Sequence, residues 1–203
     1  LGLALFSLLL SLPYYFYNTK FQGDVIRLGI SGPLSGGLNS VGNQFLLGAK
    51  IYFQNLNEMG GVYERKIEII AKDDKYEPKI AIDNVKELII KDKIFALFGI
   101  IGTPIAEAVF PIAQEKRIPF VGAYSGAEFL RNPQNPIVLN ARAGDLDEIE
   151  RVVKYYAEEL KYTKFALFYQ NDAYGRAGLS GVKNALEKRN LSLLGEGSYK
   201  RNT

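Results

Sequence analysis

Two hydrophobic patterns alternate along the chain from residue 24 onward. Short apolar runs, typical of buried strands, are separated by longer stretches in which apolar side chains recur every three or four residues, as on one face of a helix. This alternation predicts parallel strands joined by right-handed crossover helices, with helices on both faces of the sheet. We therefore expect an α/β fold, with strands at residues 25–30, 66–71, 94–98, 119–122, 137–140, 164–169 and 191–194.

A change in composition predicts a boundary between two lobes. A proline-marked stretch is followed at residues 141–144 by a connector of small and polar side chains. Asp145 and Glu148 then have the spacing of a capping box, which predicts that Asp145 caps the next helix. We expect an amino-terminal lobe over residues 24–141 and the start of an incomplete second lobe over residues 145–203, because the few elements left there cannot bury an ordinary core.

The amino end of the chain is strongly apolar. Residues 1–17 read LGLALFSLLLSLPYYFY, and the first charged side chain is Lys20. This run predicts that residues 1–20 are either a secretory signal sequence or a membrane anchor. The aromatic cluster at its end favours the anchor, while Pro13 argues against a buried core helix. Whether the run is a signal sequence or an anchor, we expect the residues from about Lys20 onward to lie outside the cytoplasm.

The composition excludes several chemistries for this sequence. Its 203 residues include no Cys, His or Trp, and 25 Lys and Arg against 22 Asp and Glu give a formal net charge of +3. Disulfides, thiolate or imidazole metal sites, a Cys nucleophile and a Ser-His-Asp triad are therefore excluded. We expect no metal and no cofactor. The positive charges are spread along the chain, which gives no footprint for nucleic acid.

Candidate ligand contacts cluster in the loops that follow the predicted strands. Parallel sheets bind ligands at the carboxyl ends of their strands, where loop N–H groups and helix amino termini face a crevice. Hydroxyl groups here could merely cap helices, with Thr103 as N-cap before Pro104, and the aromatic side chains could merely pack. Because these loops converge at one edge of the sheet, we nevertheless expect them to bind a small ligand that carries a carboxylate, and we expect no catalytic residue. The candidate ligand-binding residues are Ser35, Thr103, Tyr124, Ser125, Gly126, Asp172 and Tyr174.

An enzyme is the other class that we considered. Asp73 and Asp74 follow the second predicted strand, as in the outline of a dinucleotide-binding fold. The glycines of the first loop do not form G-x-G-x-x-G, and none of the 13 tyrosines is followed four residues later by Lys, the acid/base pair of short-chain dehydrogenases. A Rossmann-like oxidoreductase is therefore kept only as a second alternative.

Four ordered motifs give the chain a resemblance to a known family. From residue 24 to its end, the sequence resembles the type I periplasmic binding proteins of the leucine/isoleucine/valine class. The motifs are LGISGPLSGGLNSVGNQFLLGAKIYFQNLNEMGGV with IEIIAKDDKYEP, then FALFGIIGTP, IPFVGAYSGAEFLR and FALFYQNDAYGRAGLSGVKNAL. The resemblance implies two Rossmann-like lobes that are joined by a hinge and close around a small solute.

The resemblance also implies roles for individual residues. The amino-terminal lobe of relatives holds the ligand's α-carboxylate through positions that fall on Thr103, Tyr124, Ser125 and Gly126, and the aromatic residue of their second lobe falls on Tyr174. Two departures are visible. Val41 stands where many relatives have an aromatic residue, and Tyr124 stands where relatives have a small one. The acidic group that relatives use for the α-ammonium is expected beyond the last residue of this sequence.

The function implied by the resemblance is binding without chemistry. We expect an extracytoplasmic or periplasmic protein that captures a small amino acid or related carboxylate for an ABC-type importer, with the membrane permease as its partner. The alternative is the membrane-tethered ectodomain of a signalling receptor. Both would use closure of the hinge near residues 141–144 as their output.

Overall fold

The computed structural model describes residues 25–202, and the predicted signal sequence or anchor at residues 1–20 lies outside them. The predicted alternation of strands and helices is confirmed. Five longer helices are accompanied by a 3₁₀ helix at Glu128–Arg131 and a π-helical turn at Tyr155–Glu159. The elements in chain order are β1 Ile26–Gly32, α1 Asn39–Glu58, β2 Ile67–Asp73, α2 Pro78–Ile90, β3 Ala96–Phe98, α3 Thr103–Lys116, β4 Phe120–Val121, β5 Val138–Leu139, α4 Asp145–Lys154, β6 Phe165–Gln170, α5 Ala173–Glu187 and β7 Leu193–Tyr199.

The strands form two parallel sheets. The first has five strands in the order β2-β1-β3-β4-β5, and the second pairs β6 with β7. We call the first sheet with α1, α2 and α3 the first lobe, and the second sheet with α4 and α5 the second lobe. β2 and β3 lie on opposite sides of β1, so the strand order changes direction at β1. Sheets of this kind bind ligands at the carboxyl end of the strands at such a switch point.

The core of the first lobe lies between its sheet and the helices α2 and α3. Ala81, Val85 and Leu88 repeat at helical spacing on α2 and are fully buried, as are Ile105 and Val109 on α3. These side chains pack with the apolar residues of β3 and β4 in one cluster. Their burial supplies the main driving force for folding this lobe, at about 25 cal/mol per Å² of apolar surface. The loops at the strand ends of this lobe are therefore attached to a well-packed core.

The second lobe has a smaller core. Val153, Ala185 and Leu186 are buried where α4 packs on α5. The strand β7 extends to Tyr199, beyond the predicted end at residue 194, and most of its side chains are exposed. The hydrophobic pattern did not predict this part of the strand, because an exposed strand needs no apolar run. Among residues 25–202, no helix is long and apolar enough to cross a membrane.

The predicted caps of two helices are wrong. The N-cap of α3 is Gly102, and Thr103 is its first helical residue. The N-cap of α4 is Gly144, in extended conformation, and Asp145 lies inside the helix with no capping bond. Both side chains are therefore free of the capping role that the sequence suggested. Gly102 takes a positive φ of 91° and packs under the Tyr76 ring, where a Cβ atom would lie 2.4 Å from ring atom Cε2.

Candidate ligand-binding cleft

A cavity of about 160 Å³ opens between the strand ends of the first lobe and the first turns of α4 and α5. We call it the cleft. Its wall brings together five of the seven sequence-predicted residues, which are Thr103, Tyr124, Ser125, Gly126 and Tyr174. Leu38, Val41 and Ile101 supply apolar surface beside them. The cleft is thus a small, mostly apolar space with polar groups on two sides, as expected for a metabolite site.

A pair of buried hydroxyl groups forms the polar base of the cleft. Thr103 is 5% exposed and Ser125 is 3% exposed, and their Oγ atoms lie 2.8 Å apart. Ser125 Oγ also accepts a hydrogen bond from the backbone N–H of Ala127 over 3.3 Å. The hydroxyls lie next to the amino terminus of α3, where no side chain caps the helix. Together they form a donor-rich corner suited to a carboxylate.

Gly126 brings this corner against the start of the second lobe. The backbone N–H of Asp145 donates to the carbonyl oxygen of Gly126 over 2.8 Å. A Cβ atom at Gly126 would lie 2.2 Å from Asp145 Oδ1 and 2.6 Å from its backbone nitrogen. Glycine is therefore required here by the close approach of the two segments.

Asp145 is the acidic group in the wall of the cleft, and its carboxyl packs against Gly126. Its side chain is 8% exposed, and its Oδ2 atom has no hydrogen-bond partner among residues 25–202. Burial raises the pKa of this carboxyl, and the positive charge of Arg142 opposes the shift. A buried carboxylate oxygen without a partner is energetically unfavourable, so a donor group that reached Asp145 would stabilise it. The sequence analysis missed this role because it assigned Asp145 to the cap of α4.

Tyr124 and Arg142 form an adjoining part of the wall. The guanidinium Cζ of Arg142 lies 5.2 Å from the centre of the Tyr124 ring, a cation–π contact. Nη2 of Arg142 donates to Glu148 Oε2 over 2.9 Å. That hydrogen bond is the main reason why the pKa of Arg142 is raised, so the guanidinium stays charged. No sequence pattern pointed to Arg142, which lies in the predicted connector.

Tyr76 forms a further part of the wall and depends on a buried carboxylate. Its backbone N–H donates to Asp74 Oδ1 over 2.8 Å, and the hydroxyl of Ser31 donates to Asp74 Oδ2 over 2.9 Å. Asp74 is fully buried, and this burial raises its pKa to about 6 against the two hydrogen bonds. Asp73 and Asp74, the two acids that suggested a dinucleotide site, thus both accept hydrogen bonds from other residues of the first lobe.

Ser35 and Asp172 do not line the cleft. The Ser35 hydroxyl donates to Asp73 Oδ2, and the Ser35 backbone N–H donates to Asp73 Oδ1 over 3.2 Å. Asp172 is the N-cap of α5 and accepts a hydrogen bond from the Gly175 N–H over 3.3 Å. Each has the local structural role that its residue type favours.

A second link between the lobes lies beside the cleft. The Arg201 guanidinium contacts Glu77 of the first lobe through Nη2 at 3.2 Å and Asp172 of the second lobe through Nη1 at 3.6 Å. Its Cζ also lies 5.6 Å from the centre of the Tyr76 ring. This contact joins the two lobes in addition to the connector at residues 141–144 and the Gly126–Asp145 hydrogen bond.

The polar groups of the cleft include hydroxyls and a carboxyl group. Within the described part of the chain, no group of three or more acidic residues is placed to hold a metal ion. The hydroxyl pair offers hydrogen-bond donors and the Asp145 carboxylate offers an acceptor, a combination that is complementary to a small zwitterion. Tyr174 and Asp145 also border a larger cavity of about 360 Å³ on the β6–β7 side.

Comparison with known proteins identifies the family. The profile of the family described as "Periplasmic binding protein" matches residues 25–203. The chain is 24% identical over 179 residues to the Leu/Ile/Val-binding protein of Escherichia coli (strain K12), covering 88% of this chain and 48% of that protein. It therefore spans about half the length of such relatives.

Solved structures agree with this assignment. A substrate-binding periplasmic protein from Ralstonia solanacearum is similar with a TM-score of 0.83 at 30% identity, over 88% of this chain and 50% of that chain. A possible leucine/isoleucine/valine-binding protein from Rhodopirellula baltica SH 1 gives a TM-score of 0.82 at 30% identity, over 92% and 51%. The chain belongs to the type I periplasmic binding proteins, in the leucine/isoleucine/valine-binding class.

Proposed function

We propose that this chain is the ligand-binding part of an extracytoplasmic solute-binding protein. It captures a small amino acid or a related carboxylate between its two lobes and delivers it to the membrane permease of an ABC-type importer. The observation that carries this proposal is the buried Thr103–Ser125 hydroxyl pair in the wall of a small cleft that Asp145 also lines.

The ligand's carboxylate binds at the hydroxyl pair. Both hydroxyls can donate to an anion when their mutual hydrogen bond opens. Hydrogen bonds to a charged group are shorter and stronger than those between neutral groups. The amino terminus of α3 adds a favourable dipole at the same place.

The ligand's ammonium binds at Asp145. This carboxylate is almost fully buried, and one of its oxygens has no other partner in the described part of the chain. An ammonium bound beside Asp145 would offset the unfavourable burial of this charge. The names of the relatives, which are binding proteins for leucine, isoleucine and valine, support an amino acid in this place. We propose no catalytic step, because the cleft offers complementary binding groups and the relatives are binding proteins.

Calorimetry with matched compounds tests this function. Each L-amino acid in a panel is compared with the acid that lacks the ammonium and the amine that lacks the carboxylate, using the complete protein. We expect binding of an amino acid, and affinity at least tenfold weaker for both of its truncated partners, with the ligand recovered unchanged. Failure of all amino acids and small carboxylates to bind or to raise the melting temperature would overturn the proposal.

A further inference from the structure

The geometry points to Tyr124 and Arg142 as the residues that determine which side chain the ligand carries. They restrict the cleft to a compact ligand whose side chain ends in a hydrogen-bond acceptor. This inference rests on the proposed function, because it assumes that the ligand's carboxylate and ammonium bind at Thr103, Ser125 and Asp145.

Tyr124 forms one wall of the cleft with its side chain. Its backbone N–H donates to the carbonyl oxygen of Ile100 over 2.8 Å, and its own carbonyl oxygen accepts from Gly102 N–H over 3.1 Å. The ring lies edge-on to Phe45, with centroids 6.5 Å apart, and Arg142 covers it at 5.2 Å. The residue is 48% exposed, and moving its ring out of the cleft would lose both of these contacts.

The space left by this wall is small. The cleft measures about 160 Å³. Sites for drug-sized ligands begin at about 300 Å³. The carboxylate and ammonium take up much of the available volume. The remainder fits a short side chain better than a branched aliphatic one.

Arg142 adds a polar, charged group to the wall of the cleft. Its Nη2 atom bonds to Glu148, while Nε and Nη1 make no hydrogen bond among residues 25–202. The Arg142 side chain is 31% exposed and the Glu148 side chain 43% exposed, so their ion pair is of the weak, solvated kind. The free N–H groups of the guanidinium can therefore donate to a hydroxyl, an amide oxygen or a second carboxylate on the ligand.

Two variants of the complete protein separate these roles in calorimetry with L-alanine, L-serine, L-asparagine, L-aspartate and L-leucine. We expect the wild type to bind at least one of the three polar amino acids more tightly than alanine, and leucine at least tenfold more weakly than that ligand. Tyr124→Ala should narrow the gap between leucine and alanine at least tenfold. Arg142→Met should weaken the polar ligands about tenfold more than alanine. Arg151→Met, at an exposed position on α4, is the matched control and should change nothing.

The outcomes distinguish this inference from the proposed function. If leucine binds best to the wild type and binding still requires Thr103 and Ser125, the function stands and the inference is overturned. An equal loss for all ligands in Arg142→Met would also overturn it, because that residue would then only support the wall. If none of the five amino acids binds, the inference fails, and the proposed function is then decided by the wider panel of amino acids and small carboxylates.

Discussion

The backbone N–H of Asp145 donates to the carbonyl oxygen of Gly126 over 2.8 Å, and this hydrogen bond joins the base of the cleft to the first residue of α4. The carboxyl group of Asp145 is thereby held against the first lobe although it belongs to the second. Both charged ends of a zwitterionic ligand can therefore bind before the lobes close. We infer that closure adds contacts from the second lobe, Tyr174 among them, to a ligand that is already oriented.

Replacement of the hydroxyl pair should weaken ligand binding. Thr103→Ala and Ser125→Ala in the complete protein should each reduce the affinity for a carboxylate ligand by about 1 to 3 kcal/mol, because a charge-assisted hydrogen bond is lost in a buried place. The double variant should lose less than the sum, since the two hydroxyls also contact each other. Isothermal titration calorimetry measures these losses, with Ser180→Ala as an exposed control. Unchanged affinity in both single variants would contradict the carboxylate assignment.

The close approach at Gly126 predicts a position that cannot accept a side chain. Gly126→Ala places a Cβ atom 2.2 Å from Asp145 Oδ1, so the connector must shift. We expect unfolding free energy to fall by about 1 to 3 kcal/mol and ligand affinity to fall with it. Gly48→Ala is the matched control, because a Cβ atom there meets nothing within 4 Å in the middle of α1. That control should be neutral or stabilising by about 0.5 to 1 kcal/mol. Equal results for the two substitutions in urea denaturation would refute the close contact.

Asp145 should select for the ligand's ammonium. Asp145→Asn removes the negative charge with little change in shape, so amino acid binding should weaken about 10- to 100-fold, or about 1.4 to 2.7 kcal/mol. The corresponding acid without the ammonium should lose little or should gain affinity. Calorimetry with both compounds measures the difference, and an equal loss for both would assign Asp145 a structural role only.

The same residue predicts how binding depends on pH. The ionised carboxylate is the form that attracts an ammonium, and burial raises the pKa of Asp145 above its ordinary value. Affinity for an amino acid should therefore decrease as the pH is lowered through that raised pKa. The decrease should be smaller in Asp145→Asn, and a parallel decrease in both proteins would place the responsible group elsewhere.

Asp74 should make the folded state more stable at mildly acidic pH. Its pKa is about 6 in the folded protein, against 3.8 for an ordinary Asp, so the folded state binds more protons in this range. The free energy of unfolding should therefore rise by about 1 kcal/mol from this group as the pH falls from about 7.5 to about 5. Asp74→Asn should lack that increment in urea denaturation, whereas the exposed Asp83→Asn should retain it. Identical pH profiles for wild type and Asp74→Asn would contradict the prediction.

The fold was predictable where burial and chain periodicity agree. Residues 81, 85 and 88 repeat on one face of α2 because that face meets the core, so their spacing identifies the helix. The part of β7 after Leu194 was not predictable, because its glycines and polar residues leave no apolar run and most of them are exposed. The hydroxyls of Thr103 and Ser125 were predicted from their place after strands, since the topology brings strand ends together.

The remainder of the site depends on tertiary contacts between distant segments. Asp145 had the spacing of a cap, yet Gly144 takes the cap position and the carboxyl group turns toward Gly126. Arg142 is one charged residue in a polar connector, and only the folded chain shows that it covers Tyr124. Conversely, Ser35 looked like a ligand donor but bonds to Asp73, which the sequence places 38 residues away.

Small-angle X-ray scattering of the complete protein, without ligand and saturated with the tightest-binding amino acid of the panel, tests the central claim most directly. If two lobes close around a ligand held by Thr103, Ser125 and Asp145, the radius of gyration should decrease on saturation. The decrease should be smaller in Tyr174→Ala, which removes a contact from the second lobe. A radius of gyration that does not change while calorimetry shows saturation would contradict the account.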